Sequence, residues 1–202
     1  MKRKTLICSV VLVLAFAGML QAGIGFGIRP LLLIGKTLNA PTLEEMDYAH
    51  LFDRPPDWKT LRYGVSVQFM FKTGAFRFGL DVGIQSLYIS EVSAVADSSE
   101  KAVEAAGHTL GVIEFNPLRL LIFQVGFGAY GIRWAFISEG GGVDLEDDSG
   151  IVLHPGVMLA GGINIPLGRH LSVPIMARAD LIFVEGGIRA PITLAFGFSF
   201  NL

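Results

Sequence analysis

From Gly23 onward the apolar residues of this chain recur every second position, the spacing of strands with two unlike faces. In "RYGVSVQFMFK" Tyr63, Val65, Val67, Phe69 and Phe71 are large and apolar, while Arg62, Gly64, Ser66, Gln68 and Lys72 are small or polar, with Met70 the exception. "FRFGLDVGIQSLY" sets Phe76, Phe78, Leu80, Val82 and Ile84 against Arg77, Gly79, Asp81, Gly83 and Gln85. "LRLLIFQVGFGAY" places Leu121, Phe123, Val125 and Phe127 opposite Gln124, Gly126 and Gly128. "IVLHPGVMLAGGINI" alternates Ile151, Leu153, Val157 and Leu159 with His154, Gly156, Ala160 and Asn164. "LSVPIMARADLIF" alternates Leu171, Val173, Ile175, Leu181 and Phe183 with Ser172, Arg178 and Asp180. "GIGFGIRPLLLI" opens this region and "ITLAFGFSFNL" closes it. An eighth strand, "TLGVIEFN", is required by the connections, and its own pattern leaves its phase open.

The gaps alternate as strictly as the residues do. Long ones fall at about residues 35–61, 89–108 and 137–150, and the last connection is modest. Between them lie short ones, at Thr73-Gly74, Asn116-Pro117 and Pro166-Leu167-Gly168, all with turn chemistry. A meander puts alternate connections at opposite ends of a sheet, so the long loops gather at one end and the turns at the other. The two faces then decide the solvent. Large Phe, Leu, Val and Ile side chains share one face; Gly, Ala, Ser and charges share the other. A water-soluble barrel keeps bulky apolar residues inside, and an interior holding Arg77, Asp81, Gln124, Arg178 and Asp180 makes a poor core. Turned outward, the same apolar face suits lipid, and closure satisfies every backbone group. The fold expected is all-β: a closed antiparallel up-and-down eight-stranded transmembrane β-barrel, with short periplasmic turns and longer extracellular loops. A soluble sandwich is the alternative. The last strand is expected to close the barrel against the first.

Composition points the same way. The chain is 51% hydrophobic and 17% charged, with a mean hydropathy of +0.54, whereas soluble domains carry about 25% charged residues. Beyond the N-terminus there is no apolar run long enough for a helical span. Residues 1–22 join three positive charges to an apolar stretch from Leu6 to Leu20 and a small Ala22, the pattern of a cleaved signal peptide; a retained anchor is the alternative. Cys8, the one cysteine, falls inside this segment, so the barrel of residues 23–202 has no disulfide and no thiolate chemistry. Removing Lys2, Arg3 and Lys4 leaves 13 basic against 18 acidic residues, a formal charge of −5. Nucleic-acid binding, which wants a basic surface, is not expected.

Together these features resemble the small eight-stranded bacterial outer-membrane barrels of the OmpX, OmpW and OmpA-transmembrane-domain group. The resemblance covers the whole of 23–202 and rests on architecture. Its most specific piece is the C-terminus: members commonly end on an aromatic residue preceded by alternating apolar ones, and Phe198 and Phe200 fit this assembly signal. Leu202 stands where the terminal aromatic is usual. The resemblance implies a porin-like or anchor-like monomer among outer-membrane lipids, carried by periplasmic chaperones to the barrel assembly machinery. It does not specify a function, since this scaffold serves adhesins, narrow channels and enzymes alike.

Eight strands leave an interior that side chains fill. Gln68, Arg77, Asp81, Glu114, Gln124, His154, Arg178 and Asp180 are expected to form a polar network in the lumen. Within it Arg77 is expected beside Asp81, Glu114 nearby, and His154 brought towards Asp180 and Arg178. Inward glycines leave room for a wet crevice, or else let the strands coil. A lipid-modifying enzyme is the least favoured reading. "RHLS" with His170, Ser172 and Glu185 resembles part of the lipid A deacylase site, but the residues after Ser172 depart from that family and His170 falls at a periplasmic turn. No catalytic residue, cofactor or metal is expected. In the loops, Thr42 and Glu45 form a capping box, and a second helical stretch is expected from Asp97 to Gly107. Asp144, Glu146 and Asp148 alternate as in a calcium loop, yet Ser149 and Pro155 occupy the positions of its Gly and closing Glu. Trp58, Tyr63 and Tyr88 suit an aromatic girdle. The functions expected are a structural or surface-interaction role, or a narrow channel for small molecules, apolar ones included.

Overall fold

Every alternating segment forms a strand, and each strand pairs with both neighbours. The structure, a computed structural model, describes residues 25–38, 61–93, 99–118, 120–137, 143–145 and 151–201; side chains are described at 25–38, 61–87, 103–118, 120–133 and 151–201. The strands are β1 (Gly25–Leu38), β2 (Arg62–Thr73), β3 (Phe76–Ser93), β4 (Ser99–Phe115), β5 (Leu121–Ile137), β6 (Val143–Leu145), β7 (Val152–Pro166), β8 (Leu171–Val184), β9 (Gly187–Gly197) and β10 (Ser199–Asn201). Pairing is antiparallel throughout and runs in chain order. β1 closes the sheet against β9 from Leu31↔Gly197 to Leu38↔Ala190, and against β10 at Ile28↔Phe200 and Gly27↔Asn201.

β9 and β10 form a single wall of the barrel. Their register against β1 is continuous, and the break at Phe198 has a local cause. Phe198 donates its N–H to the Pro30 carbonyl at 3.3 Å, but Pro30 has no N–H to return. β6 adds a short piece beside the far end of β5. The barrel proper therefore has eight walls, closed and antiparallel, as expected.

Exposure identifies the faces. On β3, Leu80 is 52% exposed and its neighbour Asp81 0%. The same opposition runs round the barrel: Phe69, Phe78, Val82, Ile113, Phe123, Phe127, Leu159, Phe183 and Leu194 face out, while Gln68, Glu114, Gln124, Arg178 and Thr193 are buried. Phe198 and Phe200 also face out, with ring centroids 6.5 Å apart; Leu202 lies outside the described residues. β4 takes the phase the pattern left open, with Glu104, Ala106, His108, Leu110, Val112 and Glu114 turned inward.

Two connections differ from expectation. The stretch from Asp97 to Gly107, expected as a helix in a long loop, is strand from Ser99 onward, paired from Ser93↔Ser99 to Phe76↔Phe115. Its Ala- and Glu-rich sequence favours helix locally, but pairing with both β3 and β5 satisfies its backbone on two sides, and tertiary context overrides propensity. A bulge between Ser86 and Tyr88 absorbs the extra residue Leu87. The last connection is a tight Glu185-Gly186 turn, closed by Val184↔Gly187, with Gly186 at a φ of 82°. At the opposite end Gly74 turns at a φ of 61°, a conformation open to glycine at little cost.

The signal segment, the capping box at Thr42 and Glu45, Trp58, and the acidic residues Glu146 and Asp148 lie outside the described residues. So does the side chain of Tyr88, whose backbone sits opposite Glu104. Tyr63 is exposed on the outer face near the loop end of β2.

Candidate functional site

The lumen holds the chemistry, in two polar clusters. The cluster nearer the turns is built on Glu114. Arg29 reaches it with both terminal nitrogens, Nη1 at 2.5 Å and Nη2 at 3.2 Å. Gln124 donates to it at 2.5 Å and Asn116 at 2.6 Å. Arg77 completes the group at 3.4 Å. One carboxylate therefore serves two guanidinium groups. Gln68 and Gln124 exchange amide bonds at 3.1 and 3.2 Å, and Gln68 also donates to Asp81 at 3.2 Å. That bond links the two clusters.

The second cluster inverts the count: one guanidinium serves two carboxylates. Arg178 donates to Asp81 through Nη1 at 2.6 Å and to Asp180 through Nη2 at 2.9 Å and Nε at 3.0 Å. Tyr130 donates its hydroxyl to Asp180 at 2.7 Å and Gln85 its amide at 3.4 Å. His108 Nε2 lies 3.3 Å from both Asp81 and Arg178 Nη2. In one tautomer it donates to the carboxylate; in the other it accepts from the guanidinium. Buried apolar side chains surround these groups. Met70, Leu87, Leu110, Val112, Met158 and Ile182 belong to one apolar cluster, and Leu31, Leu33, Ile122, Met176 and Ala195 form another.

Several expected partnerships are exchanged. Arg77 pairs with Glu114, directly opposite on β4, instead of Asp81 on its own strand. Four residues along a strand span roughly 13 Å, whereas cross-strand neighbours lie about 5 Å apart. The same geometry removes His154 from the network. The register sets Met158, not His154, opposite Asp180, and His154 lies opposite Tyr130 towards the loop end. His108, not His154, is the histidine beside Arg178, and its carboxylate neighbour is Asp81. Glycines do not leave the interior open either. A Cβ at inward Gly79, Gly128, Gly162 or Gly197 would strike a carbonyl of the adjacent strand, so these glycines permit close approach of the walls.

Arg29, Gln85, His108 and Tyr130 escaped the sequence reading of the network. Arg29 sits in a strand with leucines on both faces, which hides its phase. His108 lay beyond the end of an expected helix. Tyr130 was legible: the inward series Gln124, Gly126, Gly128 reaches it in one more step. The deacylase-like mapping does not assemble, because His170 and Ser172 lie at the turn end of β8 and Glu185 beyond its other end. His170 Nδ1 instead lies 2.8 Å from the Asn201 carbonyl.

No protein-family model matches the chain, and no curated protein matches it by sequence. Solved structures do match. Neisserial surface protein A superposes with a TM-score of 0.52 at 11% identity, over 89% of this chain and 99% of that one. Ail, the attachment invasion locus protein of Yersinia pestis, gives a TM-score of 0.47 at 10% identity over 88% and 97% of the two chains. OprG of Pseudomonas aeruginosa gives 0.45 at 10% over 88% and 95%. The first of these superpositions, with the closed eight-walled sheet, gives the chain the fold of the small eight-stranded outer-membrane barrels.

Proposed function

We propose that this chain is an integral, monomeric protein of a bacterial outer membrane, with a structural or surface-interaction role and no catalytic function. The observation that carries the reading is the pairing of a lipid-compatible outside with a filled inside. Phenylalanines and branched aliphatics cover the wall, which suits a bilayer. Asp81, Glu114, Asp180, Leu110, Met158 and Ile182, all at 0% exposure, occupy the lumen. A barrel whose interior is occupied by its own side chains leaves function to its ends. On this reading the turns are periplasmic and the loops extracellular. Residues 1–22 direct export and are removed, and Phe198, Phe200 and Leu202 serve recognition by the assembly machinery after periplasmic chaperones deliver the chain.

Refolded protein in a planar bilayer should show no steady single-channel conductance. In detergent it should migrate differently on a gel before and after boiling, and in cells it should fractionate with outer membranes. A steady conductance would promote the channel reading above this one. Recovery as a soluble periplasmic protein would sink the membrane assignment.

A further inference from the structure

The turn end of the lumen opens into a cavity of about 860 Å³, within the range of sites for small molecules. Arg29, Lys72, Arg77 and Arg169 line it, and among the described residues no Asp or Glu does. Glu114, behind its floor, offsets one of the two guanidinium groups it contacts. Over the described residues the mouth therefore carries a net three positive charges. A second observation points to a ligand. Ser172 and Asn164, 4% and 8% exposed, line the same cavity, and Ser172 Oγ and Asn164 Oδ1 have no hydrogen-bond partner. Arg29 Nε and Arg77 Nε are likewise buried without one. Buried polar atoms are seldom left so.

We infer that this cavity is a blind-ended binding site for a small oxyanion, a phosphate- or carboxylate-bearing group. Guanidinium groups match such oxygens in shape and charge. The Ser172 hydroxyl and the two Nε–H groups lie buried behind the lining and supply donors once their side chains turn towards an oxyanion. Asn164 contributes its amide nitrogen, because oxygen and nitrogen of that group exchange by a flip. The Arg29–Gln68–Glu114–Gln124 network closes the inner end, so the ligand enters and leaves by the same mouth. The site is independent of the surface role proposed above, and it differs from a channel in having no exit.

The full-length protein in phosphatidylcholine nanodiscs should be titrated with inorganic phosphate by calorimetry, at an ionic strength held constant with chloride. Saturable binding of one phosphate per chain is expected. It should weaken at least tenfold in Lys72→Gln/Arg169→Gln, where both side chains are exposed and folding is not at stake, and also in Ser172→Ala. Lys36→Gln, at the opposite end, should leave it unchanged. Nanodiscs of phosphatidylglycerol separate the sources. Loss of the phosphate heat there would assign the site to a lipid headgroup, and its persistence to a soluble anion; either supports an oxyanion site. Heats that never saturate, or equal affinity in the double variant, would overturn the proposal.

Discussion

The two lumen clusters use the same chemistry with opposite arithmetic. Around Glu114, two arginines share one carboxylate beside an open cavity. Around Arg178, two carboxylates share one arginine among buried leucines, methionines and Tyr130. The first keeps an excess of positive charge and has a mouth through which solvent or an anion can answer it. The second must be balanced from within, by the Tyr130 hydroxyl, the Gln85 and Gln68 amides and His108. Charge excess is tolerable where a cavity reaches it. Where none does, neighbouring donors must supply the difference.

That contrast can be broken most sharply at Arg178. Arg178→Met would leave Asp81 and Asp180 facing each other without a cation, and removing one partner of a buried pair costs about 3–5 kcal/mol. Urea unfolding in lipid vesicles should show that loss. A change below about 1 kcal/mol would mean that water reaches the cluster and that it is not sealed. The outer face of β3, the strand of Asp81, offers a second comparison. Val82 adjoins Asp81 in sequence but faces out, so Val82→Arg places a cation against lipid, at a cost of about 2–4 kcal/mol near mid-bilayer. Indifference at Val82 would show that its face does not meet hydrocarbon. Inward Gly83 on the same strand does not serve as a control, since its Cβ would meet Ser66 at 2.6 Å and the His108 ring at 2.7 Å.

The smallest of these effects is expected at the open cluster. Glu114→Gln keeps one acceptor oxygen, so either Gln124 or Asn116 loses its acceptor to an amide N–H group, but the adjoining cavity admits water to the arginines. About 1–3 kcal/mol should be lost, less than at Arg178. If the same vesicle assay gave an equal or larger loss, the distinction between an open and a sealed cluster would fail. A double variant, Arg178→Met with Glu114→Gln, should also show coupling through Gln68, which bonds to Arg29 and Gln124 on one side and to Asp81 on the other; strict additivity would mean that this bridge carries no energy.

The architecture was legible because it follows from local alternation. A period of two makes strands, the turns at Thr73-Gly74 and Pro166-Leu167-Gly168 set their order, and the contrast of Phe with Gly and charge decided which face turned outward. Pairing between strands was not legible, and neither was anything that depended on it. Arg77 beside Asp81 in register with its own strand looked natural, but a side chain reaches across 5 Å more readily than along 13 Å, on the strand spacings involved. The choice of Glu114 for Arg77, and of His108 over His154 beside Arg178, was made by register. So was the fate of the stretch Ser99–Gly107, where local helix preference yielded to hydrogen bonds offered by β3 and β5. Register is a property of the closed sheet: each strand must satisfy two neighbours at once, and no single segment carries that condition. The sequence by itself determined a barrel with a greasy outside and a polar inside; only closure decided which inward charges meet, and which face the open mouth.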